Sequence, residues 1–245
     1  MSRFYVEPGK RSEDKLYVDG KEAHHILDVM RLKKGDRVSA FDGTGREYFG
    51  TIEEVAKKGL IIKIDQTREK SSKKDHHITL AQSIPRREKM DYIVQKAAEL
   101  GADKIIPMIT QRTVVRLKKE KIPARLKRYR ELAREAAKQC GSSSVTAIED
   151  CLKFHEVLEK AQGYDLSIIP SVGHVEKKSL KEKLSAFRGR SILILIGPEG
   201  GFDPAELEAA SKKEITFVSL GENVLKCDTA ALAAIAMINY ALSDI

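Results

Sequence analysis

The 245-residue sequence predicts an α/β protein in two parts, a small β-barrel followed by a mainly parallel sheet with helices on its faces. Three observations carry this prediction. Up to about residue 68, apolar residues alternate at the period of strands, and Gly35-Asp36, Asp42-Gly43 and Lys58-Gly59 supply the turns between them. From residue 78 onward, short apolar runs alternate with stretches whose apolar residues fall at helical spacing. Between the two, REKSSKKDHH has no apolar period and reads as a linker. The expected boundaries are a barrel domain over 1–70, a linker over 71–77 and an α/β domain over 78–245.

Taken in order, RFYV and KLYV read as strands, AHHILDVMRL as a short helix, and RVSAFDG, EYFGTIEEVA and GLIIKID as further strands. After the linker, the strand ITLAQSI precedes a helix expected to bury Met90, Ile93, Val94, Ala97 and Leu100 and to stop at Gly101. KIIPMIT is the next strand. A helix from Pro123 to Gln139 then buries Leu126, Tyr129, Leu132, Ala133, Ala136 and Ala137. VTAI, LSIIPSV, SILILIG and ITFVSLG follow as strands, with helices over 153–161, 177–187, from Pro204 and from Asp228. The last helix is apolar nearly all round, so it packs either in the core or against a second subunit.

Composition narrows the function. No apolar run approaches the roughly 20 residues that cross a bilayer, and MSRFYVEPGK lacks the apolar core of a secretion signal, so a cytoplasmic protein is expected. Cys140, Cys151 and Cys227 form neither a CxxC pair nor a zinc set with the scattered histidines; reduced thiols and no metal are expected. Charge is unevenly placed. Between Arg112 and Lys138 stand eleven Lys or Arg against three acids, which is the whole excess of a chain with 44 basic and 36 acidic residues. Such a run is either a solvated helix or a footprint for a phosphate backbone.

The chemistry concentrates in LILIGPEGGFDPAEL, residues 193–207. A buried strand ends in Gly197, Gly200 and Gly201, which permit positive φ and close backbone approach. Asp203 is a good N-cap, Pro204 suits the first helical position and Glu206 completes a capping box. Ligands of open α/β sheets bind beyond the carboxyl ends of strands, where this turn lies. Its Gly-x-x-Gly-Gly spacing is neither the dinucleotide fingerprint nor a P-loop, which disfavours a nicotinamide or ATP enzyme. VSLGENVLKCDTAALAAIAMINYAL repeats the arrangement, with a turn at Leu220-Gly221 and Asp228 and Thr229 in the first helical turn. The two turns are expected to meet at one rim.

LIGPEGGF, LG-x-x-x-L with a Thr-Ala-Ala-Leu helix, RREKMDYIVQKAAELG and EAAKQCG resemble the RsmE family of SPOUT methyltransferases, and the likeness extends over essentially the whole chain, from RFYV and HHILDVMR to the last helix. The resemblance implies a PUA-like barrel for RNA, a SPOUT domain with a deep trefoil knot, a homodimer, and transfer of a methyl group from S-adenosylmethionine to N3 of one uridine in 16S ribosomal RNA. It assigns the cofactor to Ile196, Gly197, Glu199, Gly200, Gly201, Leu220, Gly221, Leu225, Thr229 and Ala230. RNA is assigned to Arg86, Arg87, Arg112, Arg116, Arg128 and Lys226; by position alone Arg86 and Arg87 could clamp a phosphate or cap a loop, and the resemblance favours RNA contact for at least one of them. His24 and His25 are either packed or in contact with RNA. No residue identifies itself as the acceptor of the N3 proton, and Cys227 is taken as packing.

The chain departs from the family pattern at Asn223, Lys226 and Ser142, where arginines are usual, and at Asp228, where glutamate is usual. Replacing an arginine by Lys226 turns a planar fork into a point charge. These departures keep open an alternative in which the chain is a non-catalytic RNA-binding or ribosome-assembly module that retains the fold.

Overall fold

The computed structural model describes residues 3–69, 75–86, 89–114, 119–171 and 178–242. The chain divides into two compact units, one of residues 1–73 with 137–145 and the other of residues 74–136 with 146–245.

In the first unit, β1 (Arg3–Tyr5), β2 (Arg11–Ser12) and β3 (Lys15–Asp19) precede α1 (Gly20–His24), which continues as a π-helical turn over His25–Val29. β4 (Arg37–Phe41), β5 (Arg46–Ala56) and β6 (Gly59–Glu69) follow. Among the described residues these strands form one sheet in the order β1-β4-β5-β6-β3-β2, antiparallel except for β1 on β4. Strand alternation sends Phe4, Val18, Ile52, Leu60 and Ile62 inward, where Ile26 of the π-turn joins them. Burial alone would raise the Asp42 carboxyl. Hydrogen bonds from the Thr44 hydroxyl at 2.6 Å, the Thr44 N–H and the Tyr48 hydroxyl outweigh burial and hold it below the ordinary carboxylate range.

Residues 137–145 complete this unit. The Arg3 guanidinium stacks on Phe41 and donates to the carbonyls of Ala137 and Ser142, and Lys138 pairs with Glu22 at 2.9 Å. Val145 donates its N–H to Gly43, and Gly45 donates to Ser143.

The second unit runs β7 (His77–Ser83), α2 (Lys89–Glu99), β8 (Lys104–Ile109) and α3 (Ile122–Cys140), then β9 (Ala147–Ile148), β10 (Leu152–Lys153), α4 (Phe154–Ala161) and β11 (Leu166–Pro170). It ends with β12 (Lys178–Ser179), α5 (Leu180–Ser185), β13 (Ser191–Ile196), α6 (Pro204–Lys212), β14 (Thr216–Ser219) and α7 (Cys227–Leu242). The strands are parallel, in the order β10-β8-β7-β13-β11-β14-β12, with β9 also on β8. All six residues of β13 but Ser191 are buried, as expected of a central strand covered on both faces.

Several details differ from the sequence-based expectation. Leu100 is 37% exposed, because it lies just past the last residue of α2. His76, inside the expected linker, is buried, with its Nε2 2.9 Å from the Asn239 side chain of α7. Part of that linker, residues 71–74, lies outside the described residues. The two histidines of the short helix divide: His24 is exposed and pairs with Asp28, whereas His25 is half-buried, edge-on to Phe4.

Candidate functional site

Parallel strands place all their carboxyl ends at one rim, and the loops that leave β13, β11 and β14 lie side by side there because β11 sits between the other two. A cleft of about 770 Å³ opens between these loops. Ile196, Gly197, Glu199 and Gly201 line it from one side, and Leu225, Lys226, Cys227 and Ala230 from the other. A small side lobe, lined by Leu220, Gly221, Leu225 and Ala230, adjoins it. Thus six of the ten residues assigned to a cofactor line the cleft, and Leu220 and Gly221 line the small hollow that shares Leu225 and Ala230 with it. Gly200 and Thr229 line neither lobe.

The glycines of the first turn have distinct reasons. Gly201 has φ 68°, in the left-handed region that side chains disfavour. Gly197 does not, but a Cβ there would lie 3.1 Å from the Gly201 carbonyl carbon and from the Phe202 nitrogen, so a side chain requires the backbone of the turn to give by a few tenths of an ångström. Gly200 has neither constraint: its φ is not positive, and a Cβ there would meet only the Arg112 side chain, at 3.7 Å. Below the turn, the Asp203 side chain accepts from the Ala205 N–H at 3.1 Å and the Glu206 side chain from the Asp203 N–H at 2.9 Å, the capping box that the sequence predicts.

Two neighbouring loops are fastened to this turn. After β8, Gln111 donates its N–H to Glu206 at 2.8 Å, and the Arg112 guanidinium donates to the Gly200 carbonyl while lying 3.4 Å from Asp203. After β7, the Arg86 N–H donates to Glu199 at 3.1 Å, with Lys89 3.8 Å from the same carboxylate. The Ser83, Thr110 and Thr113 hydroxyls lie within 3.0 Å of one another at the base of these loops.

Residues that the sequence reading missed are Pro170 and Ser171, which border both lobes, and Ile169, Phe202 and Leu207, which give the main cleft apolar walls. Val224, at the mouth, is 78% exposed. Cys227 is buried, and burial followed by the charge of Glu199 pushes its thiol pKa up.

Of the six cations assigned to RNA, Lys226 is exposed beside the cleft and Arg86 is exposed near it. Arg112 is engaged with the turn, and Arg128 of α3 bonds Asp91 at 2.7 Å. Arg87 and Arg116 lie outside the described residues. Part of the charge of α3 is therefore met within the protein, since Arg130 also lies 3.7 Å from Asp150 and Lys138 pairs with Glu22. Of these, the exposed Arg130–Asp150 pair contributes little stability, whereas Lys138 and Glu22 are largely shielded from solvent.

Family models for an RNA methyltransferase domain and an RNA methyltransferase PUA domain match residues 72–239 and 18–65. The chain belongs to this RNA methyltransferase family. It joins a β-rich PUA-like domain to a parallel-sheet methyltransferase domain, and the cleft described above lies within the latter. The chain is 29% identical to the Bacillus subtilis protein named ribosomal RNA small subunit methyltransferase E, covering 98% of this chain and 96% of that protein. Among solved structures, it is similar to the methyltransferase of that name from Neisseria gonorrhoeae bound to S-adenosyl methionine, at a TM-score of 0.82 and 28% identity, covering 98% and 97% of the two chains. A Legionella pneumophila protein in complex with the same cofactor gives a TM-score of 0.87 at 27% identity and the same coverage.

Proposed function

We propose that this chain transfers a methyl group from S-adenosylmethionine to N3 of one uridine in the 16S RNA of the small ribosomal subunit. The observation that carries this reading is the convergence of the turn after β13 and of Val224 to Cys227 after β14 on one cleft of sufficient volume for an adenosyl ligand, with Leu220 and Gly221 on the small hollow beside it. The residues present suit that ligand. Ile169, Phe202, Leu207 and Leu225 provide apolar wall, and Glu199 offers negative charge to its cationic groups. Among the described residues no cluster could hold a metal, and the reaction requires none.

When bound, the cofactor supplies a methyl group already activated by its sulfonium. Transfer would form the bond from N3 to that carbon as its bond to sulfur breaks, with the N3 proton passing to solvent water, because no side chain of the cleft identifies itself as its acceptor. The chain's own task is alignment. The tight turn at Gly197 and Gly201 presents main-chain groups to the cleft, Pro170 and Ser171 close it between the lobes, and Arg112 and Glu206 hold the turn in place. Lys226 and Arg86 are the exposed cations beside the cleft that meet an RNA phosphate, and Arg128 reaches one by exchanging its partner Asp91.

The same reading makes the β-rich unit a small barrel, supported by eleven-residue β5 and β6, whose register shifts between Phe49 and Gly50 and between Ile52 and Glu54 coil the sheet. It gives the methyltransferase domain a deep trefoil knot, supported by the insertion of the later strand β13 between the earlier β7 and β11. It makes the protein a homodimer, supported by exposed Met237 and Tyr240 on α7 and Tyr92 on α2, helices that pack together. It places the protein in the cytoplasm, supported by the ribosomal substrate and by three free cysteines.

The test is nucleoside mass spectrometry of ribosomal RNA from cells lacking the protein, joined to methyl transfer onto purified small subunits. Loss of N3-methyluridine, and its return with the gene, is the expected result. Tight cofactor binding without transfer to any subunit or RNA would leave the assembly-module reading in its place.

A further inference from the structure

We propose that the end of the π-helical turn and the loop after it, residues 29–34, form the RNA-docking edge of the β-rich unit, with Arg31 as its central contact. The inference rests on the ribosomal RNA substrate proposed above and adds where on this unit the RNA lies.

Arg31 occupies a position that a stability argument would give to another residue. Its φ is 55°, in the left-handed region where glycine is at ease and an L side chain is not. The backbone there closes the helix, as the Met30 N–H donates to His25 and the Leu32 N–H to Ile26. Glycine is the usual residue at such a closing position, yet the chain keeps an exposed arginine.

The surroundings explain what the side chain is kept for. Val29 and Met30 beside it are 59% and 43% exposed. Lys33 and Lys34 follow, both exposed. Elsewhere in this unit Arg3, Lys10, Lys15 and Arg46 each pair with a carboxylate. Arg31, Lys33 and Lys34 make no ion pair within 4 Å among the described residues, and the nearby acids are taken: Asp28 by His24, Asp36 by the Lys33 N–H, and Glu53, whose charge Lys34 also feels, by Lys15. Unpaired cations around exposed apolar side chains suit a single RNA strand, whose phosphates need charge and whose base faces need apolar contact. The segment also falls inside the matched RNA methyltransferase PUA domain.

The experiment compares the full chain with Arg31→Gly, with Lys33→Ala/Lys34→Ala, and with Lys57→Ala/Lys58→Ala as a control that removes equal charge from the β5–β6 turn. Melting temperature, S-adenosylmethionine affinity, and binding to purified 16S RNA and to small subunits across a salt series are measured. For Arg31→Gly the expectation is an unchanged melting temperature or a rise of about 2–4 °C, unchanged cofactor affinity, and RNA affinity lower by roughly three- to tenfold with a salt slope smaller by about one. The lysine pair weakens RNA binding similarly and the control does not. RNA binding by Arg31→Gly equal to that of the unaltered chain overturns the proposal, as does a parallel fall in stability and cofactor affinity. A loss seen on subunits but not on naked RNA assigns the edge to a ribosomal protein instead. If the unaltered chain binds cofactor but no RNA at all, the substrate reading fails first and this inference with it.

Discussion

The Arg112 guanidinium donates a hydrogen bond to the Gly200 carbonyl at 2.9 Å, which fastens the loop after β8 to the turn that follows β13. Arg112→Ala should therefore loosen the cleft. A hydrogen bond from a charged donor is reduced by the 43% exposure of this side chain to about 1 kcal/mol, or roughly fivefold in S-adenosylmethionine affinity. Titration calorimetry reads this directly. Arg112→Lys keeps the charge without the fork and should fall between the two. Wild-type affinity in Arg112→Ala would show that the fastening is irrelevant to the cofactor.

The two turn glycines should fail differently. Gly197→Ala puts a Cβ 3.1 Å from backbone atoms of Gly201 and Phe202, so the turn shifts by a few tenths of an ångström at the cleft wall, and cofactor affinity should drop roughly three- to tenfold. Gly201→Ala meets no neighbour within 4 Å but must hold φ 68°, which costs about 1–2 kcal/mol of stability with a smaller effect on binding. Thermal unfolding and calorimetry on both variants separate strain from obstruction. Equal behaviour of the two would contradict this account.

Cys227 touches the cleft but has no chemical task in direct transfer to nitrogen. Cys227→Ala should keep methyl transfer within a few-fold of the unaltered enzyme. Because burial and then Glu199 raise its thiol pKa, labelling by iodoacetamide at neutral pH should be slow. Rapid labelling, or loss of all transfer in the alanine variant, would require a covalent role.

Acid should unfold the β-rich unit partly through Asp42. Its folded-state pKa is depressed, so its contribution is present above the unfolded value of about 4 and disappears as pH falls through the folded value. Asp42→Asn should lower stability at neutral pH and flatten the acid limb of the stability profile. An unchanged limb, measured by urea unfolding between about pH 2 and 6, would remove Asp42 from the explanation.

The elements were legible because their periods are strong: β13 is apolar throughout, and α3 repeats Leu126, Tyr129, Ala133 and Ala136 on one buried face. The two turns were legible from their glycines and capping residues. Strand order was not, since nothing local says that β11 lies between β13 and β14, and so Pro170 and Ser171 went unnoticed as part of the site. Two-residue strands such as β10 carry no period at all. The ion pairs of α3 were equally hidden, because Asp91 and Asp150 lie far from Arg128 and Arg130 in sequence.

Residues 137–145, which supply two carbonyls to Arg3 and the Val145 N–H to Gly43, belong to the β-rich unit although α2, β8 and most of α3 separate them from it in sequence. A gene fragment ending after β6 would encode an unfinished fold. During synthesis this unit cannot be whole until residue 145 has left the ribosome, so its completion waits on a stretch of the catalytic half. Exchanging the β-rich unit for another would therefore mean moving residues 137–145 together with residues 1–73.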